Sequence, residues 1–209
     1  SALEQQQPDG VLVRHWGALE RFRDTTRRPW LHGDFSLNVT NSLTAAHLLE
    51  SGLDTITASH DLDAPRLMRL AENTEAGRLV VVVQHRIATF HTEHCVYAHL
   101  LSEGRDHLSC GRPCEIHEVA LRDHQGRDHP VIVDAGCRNT VFNRERQTGA
   151  RLVPDLIDRG VRRFRVEFVR ETRAEARRSL ESWQALLNGA ISAETLEQRL
   201  GTVDRIGVL

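Results

Sequence analysis

All four cysteines of this chain fall in one window, and most of its histidines lie around them. Residues 85–143 contain eight of the twelve histidines and every cysteine, namely Cys95, Cys110, Cys114 and Cys137. Four thiolates are the number that a 4Fe–4S cluster or an all-thiolate zinc site requires. The window therefore predicts a metal or iron–sulfur site, and we expect the rest of the chain to be the scaffold that positions it.

The spacing inside the window leaves two ligand sets open. Cys110 and Cys114 enclose a Gly-Arg-Pro segment, which predicts a tight turn with both sulfurs directed at one centre. His91 precedes Cys95 by four residues, so the two side chains would share a helix face if that segment is helical. A zinc site containing His91 and Cys95 is therefore the alternative to a four-cysteine site. Both are soft sites, so the ligand types alone do not decide between them.

The chain before the window alternates between strand patterns and helix patterns. A run of valines between residues 78 and 85 is typical of a parallel strand that is covered on both faces. The alternation predicts a parallel α/β sheet or barrel. Strands are predicted over residues 11–15, 30–39, 54–58 and 78–85, and helices over residues 16–23, 43–49 and 65–72.

The alternation stops at residues 86–143, which we interpret as an insertion late in the sheet of one α/β domain spanning residues 1–209. A β-hairpin is predicted inside it, with strands over residues 116–122 and 129–134. A loop-rich insertion of this length is usually functional. Regular structure resumes with a helix over residues 152–159, a strand over 161–169, and helices over 171–187 and 192–200.

Charge and hydropathy restrict the classes of partner. The net charge is −2, so no global electrostatic attraction to nucleic acid is expected, and the chain contains no lysine. Residues 138–178 nevertheless carry twelve arginines against six acids, which makes them a candidate surface for an anion or RNA. Neither a membrane-spanning run nor a signal peptide is visible, and a cytoplasmic location is expected.

The window resembles the signature of the collagenase-like peptidase family U32. That family has H-G-A-x-C, and residues 91–95 keep its His and Cys. The sequence around Phe164 is similar to the family's K-I-E-G-R strand, with Glu167 at the glutamate. The other matches to the family pattern are Ser102 with Gly104, Cys110 with Cys114, and Cys137.

The resemblance implies a partial or modified TIM barrel with an enlarged Cys/His-rich insertion. It implies that this chain is the C-terminal part of the barrel in a longer protein and supplies about five of the eight strands. The missing opening strands would leave one edge of the sheet exposed, which favours a homodimer. The remaining domains of the longer protein are further expected partners.

The resemblance also implies the chemistry that we expect. Several relatives are iron–sulfur proteins that support hydroxylation of RNA bases or of ubiquinone precursors. The first hypothesis is a factor for pyrimidine hydroxylation in ribosomal or transfer RNA. Its cluster would be held by the four cysteines, with His91, Glu93 and Glu167 as candidate catalytic residues. The alternatives are a metal-dependent, collagenase-like peptidase, as the family name states, and a non-catalytic zinc-stabilised binding module.

Two further groups are candidate site residues because of their position on strands. Asp34, Asn38 and Asn41 lie at the end of a predicted barrel strand, where the sites of TIM-type proteins collect. Arg165 and Glu167 alternate on a late strand and therefore share one face. A helix cap for the first group and a structural ion pair for the second are the competing interpretations.

Overall fold

The computed structural model describes residues 5–104 and 106–207, which form two sheets with helices around the larger one. The described strands and helices are listed here in chain order. The strands are β1 (Gly10–Val13), β2 (Trp30–Gly33), β3 (Thr55–Thr57), β4 (Leu79–His85), β5 (Ala88–Thr92), β6 (Val119–Arg122), β7 (Asp128–Val133), β8 (Asn139–Phe142), β9 (Gln147–Thr148), β10 (Arg163–Val166) and β11 (Val203–Asp204). The helices are α1 (Trp16–Arg23), α2 (Ser42–Glu50), α3 (Ala64–Glu72), α4 (Val96–Leu101), α5 (Val153–Asp158), α6 (Arg173–Leu187) and α7 (Ala193–Leu200).

The larger sheet has seven strands and confirms the predicted α/β class. Strands β1, β2, β3 and β4 pair in parallel in that order, and β10 adds in parallel to β4. The short strand β9 pairs antiparallel with the end of β4, and β11 pairs in parallel with β9. A complete TIM barrel is not confirmed, because within the described residues β1 pairs only with β2.

The larger sheet is nevertheless strongly curved. Strands β2 and β10 are three strand positions apart, which corresponds to about 14 Å along a flat sheet. Asp34, which follows β2, still binds Arg165 of β10 at 2.7 Å. The guanidinium of Arg163 also lies 5.8 Å from the centre of the Trp30 ring on β2. Such contacts across the sheet require that the face carrying these side chains is concave.

Strand β4 is the centre of the core, since all seven of its residues are buried. Val81 and Val83 belong to the main hydrophobic cluster together with leucines of the surrounding helices. Gln84 is the polar exception on β4. Its side-chain oxygen accepts hydrogen bonds from Ser179 at 2.9 Å and from Trp183 at 2.7 Å, both on α6. This pair of bonds fixes α6 against the middle of the sheet.

The helix boundaries follow the capping residues in the sequence. Asn41 accepts a hydrogen bond from the backbone NH of Thr44 at 2.9 Å and begins α2, and Asp63 begins α3 in the same way through Arg66. The strand predicted over residues 30–39 ends earlier, at Gly33. A short 3₁₀ turn, Phe35–Leu37, follows it and closes at Asn38, whose φ of 57° is left-handed.

The smaller sheet is formed by the predicted insertion and has four antiparallel strands in the order β5-β8-β7-β6. The predicted hairpin is β6 and β7, and Gly126 in its turn has a left-handed φ of 76°. Residues 88–92, in contrast, form the extended strand β5. The condition for a helix face shared by His91 and Cys95 is therefore not met.

The bonds made by Gln84 lead to a stability prediction. Gln84→Leu leaves two buried donors without an acceptor, at about 1–3 kcal/mol each, so the free energy of unfolding should fall by about 2–6 kcal/mol. Ser179→Ala, the matched control, removes one donor and keeps the bond from Trp183, so its cost should be about 1 kcal/mol. Urea denaturation followed by circular dichroism measures both, and equal losses in the two variants would contradict the assignment.

Candidate functional site

The four cysteines converge although they come from three separate segments. Cys95 precedes α4, Cys110 and Cys114 lie in the loop before β6, and Cys137 lies in the turn between β7 and β8. All four line one cavity of about 630 Å³. The structure thus brings together the complete four-cysteine set that the sequence singled out.

Local backbone geometry shapes the loop that carries Cys110 and Cys114. Gly111 and Arg112 are both left-handed, with φ of 68° and 52°, and Pro113 then begins a 3₁₀ turn. The backbone NH of Cys110 donates to the carbonyl of Asp106 at 2.9 Å. The predicted tight turn is therefore present, and Asp106 holds its first cysteine.

Asn139 connects the other two cysteine segments. Its side chain is fully buried; its oxygen accepts from the backbone NH of Val96 at 3.1 Å, and its nitrogen donates to the carbonyl of Cys137 at 3.1 Å. Cys137 itself has a left-handed φ of 63°. One buried amide thus holds the start of α4, directly after Cys95, against the turn that presents Cys137. Sequence reasoning missed Asn139, since its position in the strand carried no chemical signal.

The sulfurs surround a space instead of collapsing on a point. Zn–S bonds of 2.3 Å in a tetrahedron place sulfurs about 3.8 Å apart. Within the described residues, no three cysteine sulfurs lie within 4.8 Å of one another. Burial raises the pKa of the Cys114 thiol, and the neighbouring Cys95 and Cys110 add to this shift.

His91 and Glu93 lie apart from this cavity. Both side chains are exposed, and neither is among the residues lining the cavity. The Nδ1 atom of His91 hydrogen-bonds the hydroxyl of Thr140 at 2.9 Å, across the pairing of β5 with β8. Their placement follows from the extended backbone of β5, which the sequence pattern did not indicate.

A second group of residues lies at the carboxyl ends of three neighbouring strands. His60 follows β3, His85 ends β4, and Glu167 follows β10. One ligand atom from each lies within 4.8 Å of the others. We call this group the strand-end triad. Glu167 was a predicted site residue, whereas the two histidines were missed, although their position after parallel strands is where sites of α/β folds occur.

Aromatic stacking and burial set the state of the two histidines. The His60 ring stacks on the His85 ring and contacts the Phe35 ring in a tilted arrangement, each pair with a centroid separation of 4.4 Å. Burial lowers the pKa of His60 to about 4, with Arg165 adding to the shift while Asp34 and Asp61 oppose it. Burial also lowers the pKa of His85 to about 3, helped by His60 and Arg165. Both imidazoles are therefore neutral at pH 7.

Arg165 lies between two carboxylates beside the triad. One of its terminal nitrogens binds Asp34 at 2.7 Å and Glu167 at 2.5 Å, and Arg14 reaches Asp34 from the other side at 3.2 Å. Arg165 and Glu167 therefore form the ion pair that was one of the two interpretations of these residues, the other being that they are site residues.

The three candidate site residues after β2, Asp34, Asn38 and Asn41, have different roles in the structure. Asp34 joins the Arg165 network and is buried, Asn38 accepts a hydrogen bond from Ser59 at 3.0 Å, and Asn41 caps α2. Among the three, the strand-end network therefore contains Asp34.

The insertion is fixed to the larger sheet by arginines. Arg170, which follows β10, donates to the hydroxyl of Tyr97 at 2.9 Å and to the carbonyls of Val119 and Val131. Tyr97 is buried and lines the cysteine cavity. Arg86 binds the carbonyl of Asn143 at 3.2 Å at the base of the insertion. The cavity is thus rigidly connected to the strand ends.

Comparison with known proteins identifies the family. The family model described as Peptidase family U32 matches residues 1–205. The chain belongs to peptidase family U32. Neither the curated proteins nor the solved structures contain a match. Among the described helices of this U32 member, none is long and apolar enough to cross a membrane.

The role of Asn139 predicts an effect on metal occupancy. Asn139→Ala removes both hydrogen bonds that hold the Cys95 and Cys137 segments together. Loss of a group that orients metal ligands typically lowers metal affinity about 10–100-fold, so a decrease of this size is expected at the cysteines. The neighbouring Thr140→Ala, which loses only the contact to His91, should keep wild-type affinity. Elemental analysis of anaerobically purified protein, with competition by a chelator, gives the comparison; equal occupancy in both variants would contradict it.

The lowered pKa values of the triad histidines predict a pH dependence of stability in metal-free protein. The unfolded chain binds protons below pH 6.5, whereas folded His60 and His85 stay neutral down to about pH 4 and 3. The free energy of unfolding therefore falls as the pH is lowered, by about 1–2 kcal/mol per histidine between pH 7 and pH 5. Urea titrations in EDTA measure the free energy of unfolding at pH 7 and pH 5. Between these pH values it should fall less in His85→Gln than in the wild type, by the contribution of one histidine. An equal fall in both proteins would contradict the assignment to His85.

Proposed function

We propose that this U32 member holds a 4Fe–4S cluster through Cys95, Cys110, Cys114 and Cys137 and acts in the hydroxylation of RNA bases. The observation that carries the proposal is the convergence of all four cysteines on one cavity of about 630 Å³. A cluster of this kind supplies one-electron transfer when it is bound.

The cysteine geometry favours a cluster over a single zinc ion. Four-thiolate zinc needs sulfurs at about 3.8 Å from one another, and no three of the described sulfurs approach within 4.8 Å. The ligands of a cluster bind separate irons at its corners, so their sulfurs are held farther apart. A zinc-stabilised module, the second function considered for this chain, would require the segments to close inward.

The chain's own residues keep the cysteines in place. Asp106 binds the backbone of Cys110, and Asn139 connects Val96 with Cys137. A second cavity, of about 540 Å³, shares Tyr97 and Cys114 with the first and extends to Arg170. A substrate in this second cavity would lie beside the cysteine site and against the junction with the larger sheet.

The arginine-rich stretch contributes little to the RNA part of the proposal. Seven of the twelve arginines between residues 138 and 178 form ion pairs with carboxylates of the chain, so their charge is largely neutralised internally. Arg170 in addition donates to backbone carbonyls in the insertion. The support for an RNA substrate is the family resemblance, and the test must therefore detect the RNA product itself.

The first experiment measures the cluster. Anaerobically purified protein should contain about four irons and matching sulfide per chain, with the broad visible absorption of iron–sulfur charge transfer. Cys137→Ser should lose this absorption. His91→Ala is the matched control and should keep it, because His91 does not line the cavity. Colourless protein that contains one zinc ion per chain would overturn the cluster. If His91→Ala then lost that zinc, the His91–Cys95 zinc site would be the correct assignment.

The second experiment measures the product. Nucleosides of ribosomal and transfer RNA from cells producing wild-type protein should contain a pyrimidine with one additional oxygen, detectable by mass spectrometry. Cells producing Cys114→Ser should not contain it. If both RNA samples are identical while the cluster is present, the RNA substrate is wrong and the cluster assignment stands. Chelator-sensitive cleavage of a collagen peptide by the same protein would instead favour the peptidase alternative.

A further inference from the structure

We propose that the strand-end triad, His60, His85 and Glu167, is a second metal site, which binds one divalent transition-metal ion independently of the cysteines. Binding of the proposed cluster by the four cysteines uses none of these three residues, and the triad lies in the larger sheet, outside the insertion that carries the cysteines. The inference therefore stands or falls separately from the iron–sulfur proposal.

The geometry of the triad is that of a preformed ligand set. One ligand atom from each residue lies within 4.8 Å of the other two, and this is the one such group among the described histidines, cysteines and acids. The three side chains come from the ends of adjacent strands, with β4 between β3 and β10. His85 is held in the sheet as the last residue of β4, and the backbone NH of Glu167 donates to the carbonyl of the neighbouring Gln84 at 2.9 Å.

His85 provides a second, independent observation at this group. Its side chain is 3% exposed, and its Nε2 atom is buried without a hydrogen-bond partner. An unsatisfied buried polar atom costs stability, so folded proteins rarely contain one. Coordination of a metal ion through Nε2 removes this cost. A purely structural role in the ring stack with Phe35 and His60 leaves it unexplained.

The surrounding charges orient the carboxylate ligand. Arg165 binds one oxygen of Glu167, Oε1, at 2.5 Å and leaves the other available. Asp34 binds the same nitrogen of Arg165 at 2.7 Å and balances its charge. Hydrogen-bonded partners of this kind fix the direction of metal-ligating carboxylates. Arg165 is accordingly a positioning residue in this site.

The ligand types select the class of metal. Two imidazoles and one carboxylate bind Zn²⁺ in catalytic sites and Fe²⁺ in facial triads, and both leave coordination positions open. Calcium and magnesium prefer oxygen ligands alone and fit this set poorly. The Nε atom of Arg165, the residue that binds Glu167, is also buried without a hydrogen-bond partner.

The test uses Co²⁺ as a spectroscopic probe, since its absorption distinguishes thiolate ligands from nitrogen and oxygen. In a protein with all four cysteines changed to serine, Co²⁺ should produce visible d–d bands at one ion per chain without a thiolate charge-transfer band. His60→Phe keeps the ring stack, and Glu167→Gln keeps the shape of the side chain. Each should weaken Co²⁺ binding at least tenfold. His124→Ala, in the exposed hairpin turn, is the matched control and should bind as the parent does.

Two results would overturn the site. The first is an absence of Co²⁺ binding in the folded cysteine-free protein, which would leave the triad as a stack of rings only. The second is binding that His60→Phe and Glu167→Gln leave unchanged. If the cysteine-free protein does not fold, wild-type protein is titrated instead. There, a thiolate-free Co²⁺ spectrum in addition to the thiolate-bound one supports the site, and a purely thiolate spectrum refutes it.

Discussion

The complete burial of strand β4 is the constraint on which the rest of this structure depends. Its seven residues have no exposed side, so each face must be covered and each edge paired. Strands β3 and β10 pair with it in parallel, β9 pairs with its end, and Gln84 on it anchors α6. The last residue of β4 is His85, so the same burial that stabilises the core also brings an imidazole to the strand ends.

The elements of the larger sheet were largely predictable because their signals are local. The valine run identified β4, and the predicted helices over residues 43–49 and 65–72 correspond to α2 and α3, whose N-caps are Asn41 and Asp63. The early end of β2 was not predictable in the same way, since the apolar alternation continues past Gly33 while the backbone turns. The curvature of the sheet depends on contacts such as Asp34 with Arg165, which join residues far apart in the chain.

The candidate site was predictable in its ligand types but not in its supporting contacts. Cysteine clustering pointed to the insertion, and the structure places all four cysteines on one cavity. Asn139 was not a predicted site residue, because its role depends on bonds to the Val96 NH and to the Cys137 carbonyl. His60 and His85 were counted among many histidines, and only the parallel pairing of β3, β4 and β10 shows that two of them meet Glu167.

The way in which the insertion joins the sheet has a consequence for evolution and engineering. The chain leaves β4 at His85 and returns at Gln147, and these two residues are paired partners in the sheet. Entry and exit are therefore side by side, and the hydrogen bond from Arg86 to the Asn143 carbonyl closes the base. A unit attached through adjacent ends can be lengthened, shortened or exchanged without changing strand order. Arg170 is then the contact from β10 that such an exchange must keep or replace, since it donates to Tyr97, Val119 and Val131 of the insertion.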